Sequence, residues 1–173
     1  MTRRRPFAGP RGRFVLKWLI LVASAGIAVG LDLLTKSIAE AHLVLGETHK
    51  ILPFLYLQRT ANTGVAFGLL GGRGSFIIVA NVIAILVVIF YVVMEKRPAV
   101  AGVGGGLIVG GSLGNMVQRL AYGEVTDYLK FPHWPNFNLA DVFIILGIAV
   151  IFLGVIVEGV HVVRAGRKGA STS

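Results

Sequence analysis

Three aspartates, Asp32, Asp127 and Asp141, are the only ones in this 173-residue chain. Asp32 and Asp141 stand at the ends of long apolar runs and Asp127 in a loop at the same boundary, where ionisable side chains are costly to hold and are candidates for function. Two carboxyl groups brought close together cannot both ionise, so one proton is shared between them. Such a pair suits peptide hydrolysis. The ionised member takes a proton from the attacking water, while the protonated member stabilises the developing oxyanion and then protonates the leaving amine. Asp127 and Asp141 are the expected pair, titrating jointly. Asn115 and Arg119, one helical turn apart and on one face, belong to the same polar group.

Each of these residues also has a plain structural role open to it. Asp32 and Lys36, four apart, can form a helix-end ion pair. Asn138 and Asp141 can be an N-cap with an acidic residue at its third helical position. Arg119 can anchor a helix at an interface, and Asp127 can sit in a turn. Taken singly these roles suffice, but together they leave unexplained why every Asp falls on one side of the topology derived below. Competing chemistries fare worse. The chain has no Cys, which removes disulfides, thiolate nucleophiles and Cys-ligated metals. His42, His49, His133 and His161 lack ligand-like spacing and there is no HExxH, so no metal is expected. Ser37 is on a different helix face from Lys36, which argues against a Ser/Lys hydrolase. Gly104-Gly105-Gly106 has no Lys of the kind a phosphate loop needs. No cofactor is expected.

The elements that must position these residues are set by lipid. Hydrophobic residues make up 55% of the chain and charged ones 14%, against about 25% charged in a soluble domain. Four segments, about 14–34, 75–94, 99–117 and 138–158, approach the roughly 20 helical residues that cross a hydrocarbon core of about 30 Å. The fold class is therefore an all-α membrane protein with four transmembrane helices, in one polytopic domain. Gly102, Gly106, Gly110 and Gly114 recur on one face of the third span and predict close helix packing. The net charge of +9 would suggest nucleic acid in a soluble protein, but here it gathers at the ends of apolar runs. Arg3, Arg4, Arg5, Arg11, Arg13 and Lys17, then Lys96 and Arg97, then Arg164, Arg167 and Lys168 share one side, which the positive-inside rule makes cytoplasmic. That gives an N-in, C-in topology with all three aspartates at the outer boundary.

The basic start and Ala23-Ser24-Ala25 also resemble a cleavable signal peptide, but the apolar run continues to Leu31, which favours retention. The outer loops are expected at 35–74 and 118–137. The first is longer than a bare connection and carries a strand at Ile51 to Thr60, with turns at Gly64, Gly68, Gly71, Gly72 and Gly74. The second carries a short strand at Val125 to Leu129. Residues 1–12 and 168–173 are expected to be disordered.

At these residues the chain resembles the lipoprotein signal peptidases, or signal peptidase II, a family of bacterial membrane aspartic proteases. The likeness runs in order through Asp32-Leu33-Leu34-Thr35-Lys36, Asn62-Thr63-Gly64-Val65-Ala66-Phe67-Gly68, Gly114-Asn115 with Arg119, Val125-Thr126-Asp127-Tyr128, and Phe137-Asn138-Leu139-Ala140-Asp141. One block alone is weak evidence; five in order on a four-span chain are specific. The resemblance implies that Asp127 and Asp141 are catalytic. It implies that Asp32, Lys36, Asn62, Gly64, Asn115, Gln118, Arg119, Asn138 and Ala140 shape or support the site. It also implies a small extracytoplasmic β-sheet and a short interfacial helix. The substrates would be diacylglyceryl-modified prolipoprotein signal peptides, reached sideways from membrane lipid and cut before the modified Cys. The enzyme would act as a monomer in the bacterial cytoplasmic membrane, with its site on the extracytoplasmic face and no nucleic-acid partner. One position departs from the pattern. Where the family has Asp before the Arg, this chain has Gln118, read as an amide replacing a carboxylate beside Arg119. That departure keeps open a catalytically silent lipoprotein-binding relative. A small membrane transporter component is the other alternative, although the centres of spans two and three are apolar.

Overall fold

The computed structural model describes residues 9–64 and 74–170. In chain order it contains α1 (Pro10–His42), β1 (Thr48–Leu52), β2 (Leu55–Asn62), α2 (Gly74–Met94), a π-helical turn (Val100–Gly104) that runs into α3 (Gly105–Tyr122), β3 (Val125–Lys130) and α4 (Leu139–Ala170). The strands form one antiparallel sheet in the order β1-β2-β3. All four helices are long and apolar enough to cross a membrane. They expose large apolar side chains such as Val22, Ile27, Leu86, Phe90, Ile145 and Phe152, as lipid-facing surfaces should.

The third helix is the centre of the bundle and packs on the other three. Its glycines make this possible. A methyl group on Gly110 would lie 2.6 Å from the Ala25 carbonyl oxygen, and one on Gly114 would strike the Asp32 carboxylate. Gly102 and Gly106 meet α1 in the same way, while Gly104 and Gly111 meet α4. On α1 the matching stripe is Lys17, Leu21, Ala25, Ala28, Asp32, Lys36 and Ala39, all buried and spaced three or four apart. Ser24, inside the expected signal-like triplet, lies in continuous helix and donates to the Gly102 carbonyl at 3.0 Å.

At the end of the bundle away from the sheet, charges hold helices together. The Lys17 Nζ donates to the carbonyls of Val92 (2.6 Å), Glu95 (3.0 Å) and Val93 (3.2 Å), and so caps the C-terminus of α2. Arg97 pairs with Glu95 at 2.8 Å and donates to the Gly154 carbonyl of α4.

Several expected boundaries change. The first helix begins at Pro10, a favoured first-turn position for proline, so residues 10–12 are helical. It also continues past residue 34 to His42, because Asp32 and Lys36 neutralise each other inside the bundle and the buried stripe runs on to Ala39. Helix α3 reaches Tyr122 and stops at Gly123, whose φ of 78° places it in the left-handed region that ends helices. Helix α4 extends to Ala170, into the tail expected to be disordered. The single strand expected at Ile51 to Thr60 is instead a hairpin. Pro53 and Phe54 make its turn between the paired Leu52 and Leu55, since proline cannot donate to a strand ladder. The strand expected at Val125 to Leu129 is β3. Gly74 opens α2 rather than marking a turn. No interfacial helix occurs among described residues 43–64. Val65, Ala66, Phe67, Gly68, Gly71 and Gly72 lie outside the described residues, as do 1–8 and 171–173 of the tails.

Candidate active site

The polar groups converge where α1, α3 and α4 meet the sheet. Asp32 and Lys36 are fully buried and form an ion pair at 2.6 Å. The same carboxyl of Asp32 accepts the Ala140 backbone N–H at 2.9 Å, so α1 supplies an acceptor to the first turn of α4. Lys36 also donates to Asn115 Oδ1 at 2.7 Å. Asn115 then donates through Nδ2 to Asp141 Oδ1 at 2.9 Å. The lysine thus orients the amide that reaches one candidate catalytic carboxyl.

Asn138, also fully buried, connects the two candidate carboxyls. Its Nδ2 donates to Asp127 Oδ1 at 2.7 Å and to Asn115 Oδ1 at 3.0 Å. Its backbone N–H donates to Asp141 Oδ2 at 3.1 Å, and its Oδ1 accepts the Asp141 backbone N–H at 3.2 Å. Asn138 and Asp141 therefore make the reciprocal cap expected at the start of α4, and that cap is what holds Asp141 beside Asp127.

Asp127 sits on β3, 3% exposed, with its second oxygen accepting from Asn62 Nδ2 at 2.8 Å. Asn62 Oδ1 in turn accepts the Gly64 N–H at 2.8 Å. Gly64 has φ of 76°, and a methyl group there would collide with Ile77, so a side chain is excluded on two counts. Burial pushes the Asp127 carboxyl up to about 6, and the nearby Asp141 charge adds to this. The bonds from Asn62 and Asn138 and the charge of Lys36 pull the other way. Asp127 lies on the wall of a cavity of about 380 Å³ with Gln58, Thr60, Asn62 and Asn136. Arg119 is half-buried within electrostatic reach of both Asp127 and Asp141, and its Nε has no hydrogen-bond partner among the described residues.

Ten of the eleven residues singled out from sequence join this network or face it directly. The eleventh, Gln118, reaches it through Thr126, whose carbonyl accepts from Asn138. The Gln118 side chain donates to Glu40 Oε1 at 2.7 Å and accepts the Thr126 N–H at 2.8 Å. Glu40 and Thr126 were not foreseen as site residues. The signal for Glu40 was present, since it follows Asp32 and Lys36 at four-residue spacing on one face.

Fold and site together define a multi-pass helical membrane protein with a buried and a half-buried carboxyl, Asp127 and Asp141, at one end of its bundle. The sequence profile of signal peptidase (SPase) II matches residues 24–157. A lipoprotein signal peptidase of Symbiobacterium thermophilum is 36% identical over 161 residues, 88% of this chain and 100% of that protein. One from Mesorhizobium japonicum is 42% identical over 132 residues, 72% of this chain and 77% of its own. A solved bacterial membrane enzyme superposes with a TM-score of 0.72 at 26% identity, covering 78% of this chain and 91% of its own. The chain belongs to the signal peptidase II family and is a membrane protease.

Proposed function

We propose that the chain is an aspartic endopeptidase that removes signal peptides from bacterial prolipoproteins, cutting just before the diacylglyceryl-modified Cys. The observation that carries this reading is Asn138, which bonds Asp127 through its side chain and Asp141 through its backbone. Water adds its oxygen to the scissile carbonyl carbon and gives a proton to the ionised member of the pair. The protonated member donates to the oxygen that becomes negative, and the leaving amine takes up a proton as the C–N bond breaks. The raised Asp127 carboxyl, about 6, suits a pair that shares one proton.

The substrate's apolar signal helix reaches the site through lipid, and no cofactor takes part. The basic residues at the Lys17 and Arg97 end support a cytoplasmic position for it. The catalytic end then faces outward from the cytoplasmic membrane, where the enzyme works as a monomer. Gln118 gives no support to a silent relative, because its amide is engaged with Glu40 and Thr126 and leaves both aspartates in contact with their partners. The test is in-gel cleavage of a diacylated prolipoprotein by the purified protein in detergent. Release of the signal peptide is expected; binding without release would leave the silent relative standing.

A further inference from the structure

Thr126 immediately precedes Asp127, and each of its polar atoms is held by a different element. Its N–H donates to Gln118 of α3 at 2.8 Å, its hydroxyl donates to Glu40 of α1, and its carbonyl accepts from Asn138 at 3.5 Å. Gln118 is 6% exposed and closes the remaining side by donating to the same Glu40 oxygen. The requirements at the two positions differ. Position 40 receives two hydrogens and must accept. Position 118 must accept from Thr126 and donate to Glu40 at once, which an amide does and an ionised carboxylate cannot.

We propose that Glu40 and Gln118 are a coupled pair of positioning residues that fix β3, and through Thr126 the Asp127 carboxyl, at catalytic distance. The carboxylate stands on α1 and the amide on α3, and the two can be exchanged together but not singly. This rests on the endopeptidase reading above. In Gln118→Glu, two carboxylates face each other across a donor's place and Thr126 is pushed from its seat. Adding Glu40→Gln restores one donor between the two side chains and leaves an acceptor for each Thr126 hydrogen. Neither residue touches the reacting atoms, so the effect is on the placement of Asp127.

The experiment is a double-mutant cycle of Glu40→Gln, Gln118→Glu and the double variant. It is read as kcat and KM on a diacylated prolipoprotein in detergent, beside thermal unfolding. Gln118→Glu is expected to lose about ten-fold or more in kcat with little change in KM, since small misplacements of a reacting group are costly. Glu40→Gln loses less, because its amide oxygen still accepts both bonds. The double variant regains most of the kcat lost by Gln118→Glu. If Gln118→Glu does not fold, recovery of both unfolding temperature and kcat in the double variant supports the pair in the same way. A double variant no better than Gln118→Glu, or a Gln118→Glu with the parent's kcat, overturns the proposal while the parent still cleaves. A parent that cleaves nothing overturns the endopeptidase reading and this proposal with it.

Discussion

The two ends of the helix bundle both gather charge, yet they finish differently. At the Lys17 end the charges that join helices are matched, although the buried Trp18 Nε1 has no partner among the described residues. Lys17 spends its hydrogens on three carbonyls, and Arg97 is paired with Glu95. The Arg97 guanidinium and its hydrogen bonds hold the Glu95 carboxyl down at about 2. At the sheet end the aspartates are approached mostly by neutral amides, Asp127 is pushed up to about 6, and Arg119 Nε has no partner among the described residues. The Lys17 end also borders a cavity, of about 450 Å³, but its lining has a single carboxyl, Glu95, already engaged with Arg97. Charge that is fully matched builds a joint between helices. Charge left under tension against burial can do chemistry.

The largest break in this comparison should come from the aspartates. Asp127→Asn and Asp141→Asn are each expected to reduce cleavage by at least the roughly 10²- to 10⁴-fold that general acid–base catalysis contributes, with the protein still folded. An amide can neither take the water's proton nor share one, so the two losses should not add. Near-parent turnover in either variant, with normal unfolding, removes that residue from the pair. If Asp141 were only a cap, Asn would serve nearly as well.

Lys17→Met should show the reverse pattern. It removes a charged donor from the carbonyls of Val92 and Val93 in α2 and of Glu95 just after it, a loss of about 1.5–3 kcal/mol for hydrogen bonds to a charged group, and it is far in the bundle from Asp127. Lower unfolding temperature with unchanged kcat is expected from thermal unfolding and substrate assays in the same detergent. A drop in kcat without a drop in stability would mean that the two ends are not separable. Gly114→Ala tests the boundary between them. Its methyl group would collide with the Asp32 carboxylate, and overpacking of this kind costs about 1–3 kcal/mol. Because Asp32 holds both Lys36 and the first turn of α4, this variant should lose stability and turnover together.

The sequence makes one of these ends much easier to read than the other. The basic joint follows from charges beside apolar runs, and the four spans follow from composition. The glycine face of α3 was also legible, since only a residue without a side chain allows the approach seen at Gly110. The site was legible as residue types in order, but not its full membership. Asp32 and Lys36 look like a helix end when charge is read as exposure; inside the bundle they cancel, α1 runs another turn, and Glu40 arrives at Gln118. The hairpin at Pro53 and Phe54 was hidden for a similar reason, because apolar residues on both sides of the turn read as one run. Pairing partners decide both cases, and a linear sequence does not display them.

Acidification should separate the two ends with the smallest and most specific effect. Asp127 has a folded-state value of about 6 against an ordinary 3.8, so the folded protein binds that proton more tightly than the unfolded chain does. Stability therefore rises as pH falls through about 6 toward 4, and the destabilising contribution is fully present above that range. Between pH 7.5 and 4.5 this amounts to about 2 kcal/mol for a fully developed shift of this size. Glu95 is displaced the other way, to about 2 from 4.5. Its contribution is present above its ordinary value and is lost only in stronger acid, so it keeps its charge through most of the window. Denaturant titrations in detergent at pH 7.5 and 4.5 should show the parent gaining about 2 kcal/mol relative to Asp127→Asn, which has no proton to bind at that position. Parallel pH dependence in the two proteins would mean that burial does not strain the Asp127 carboxylate. The contrast between a matched end and a strained one would then lose its physical basis.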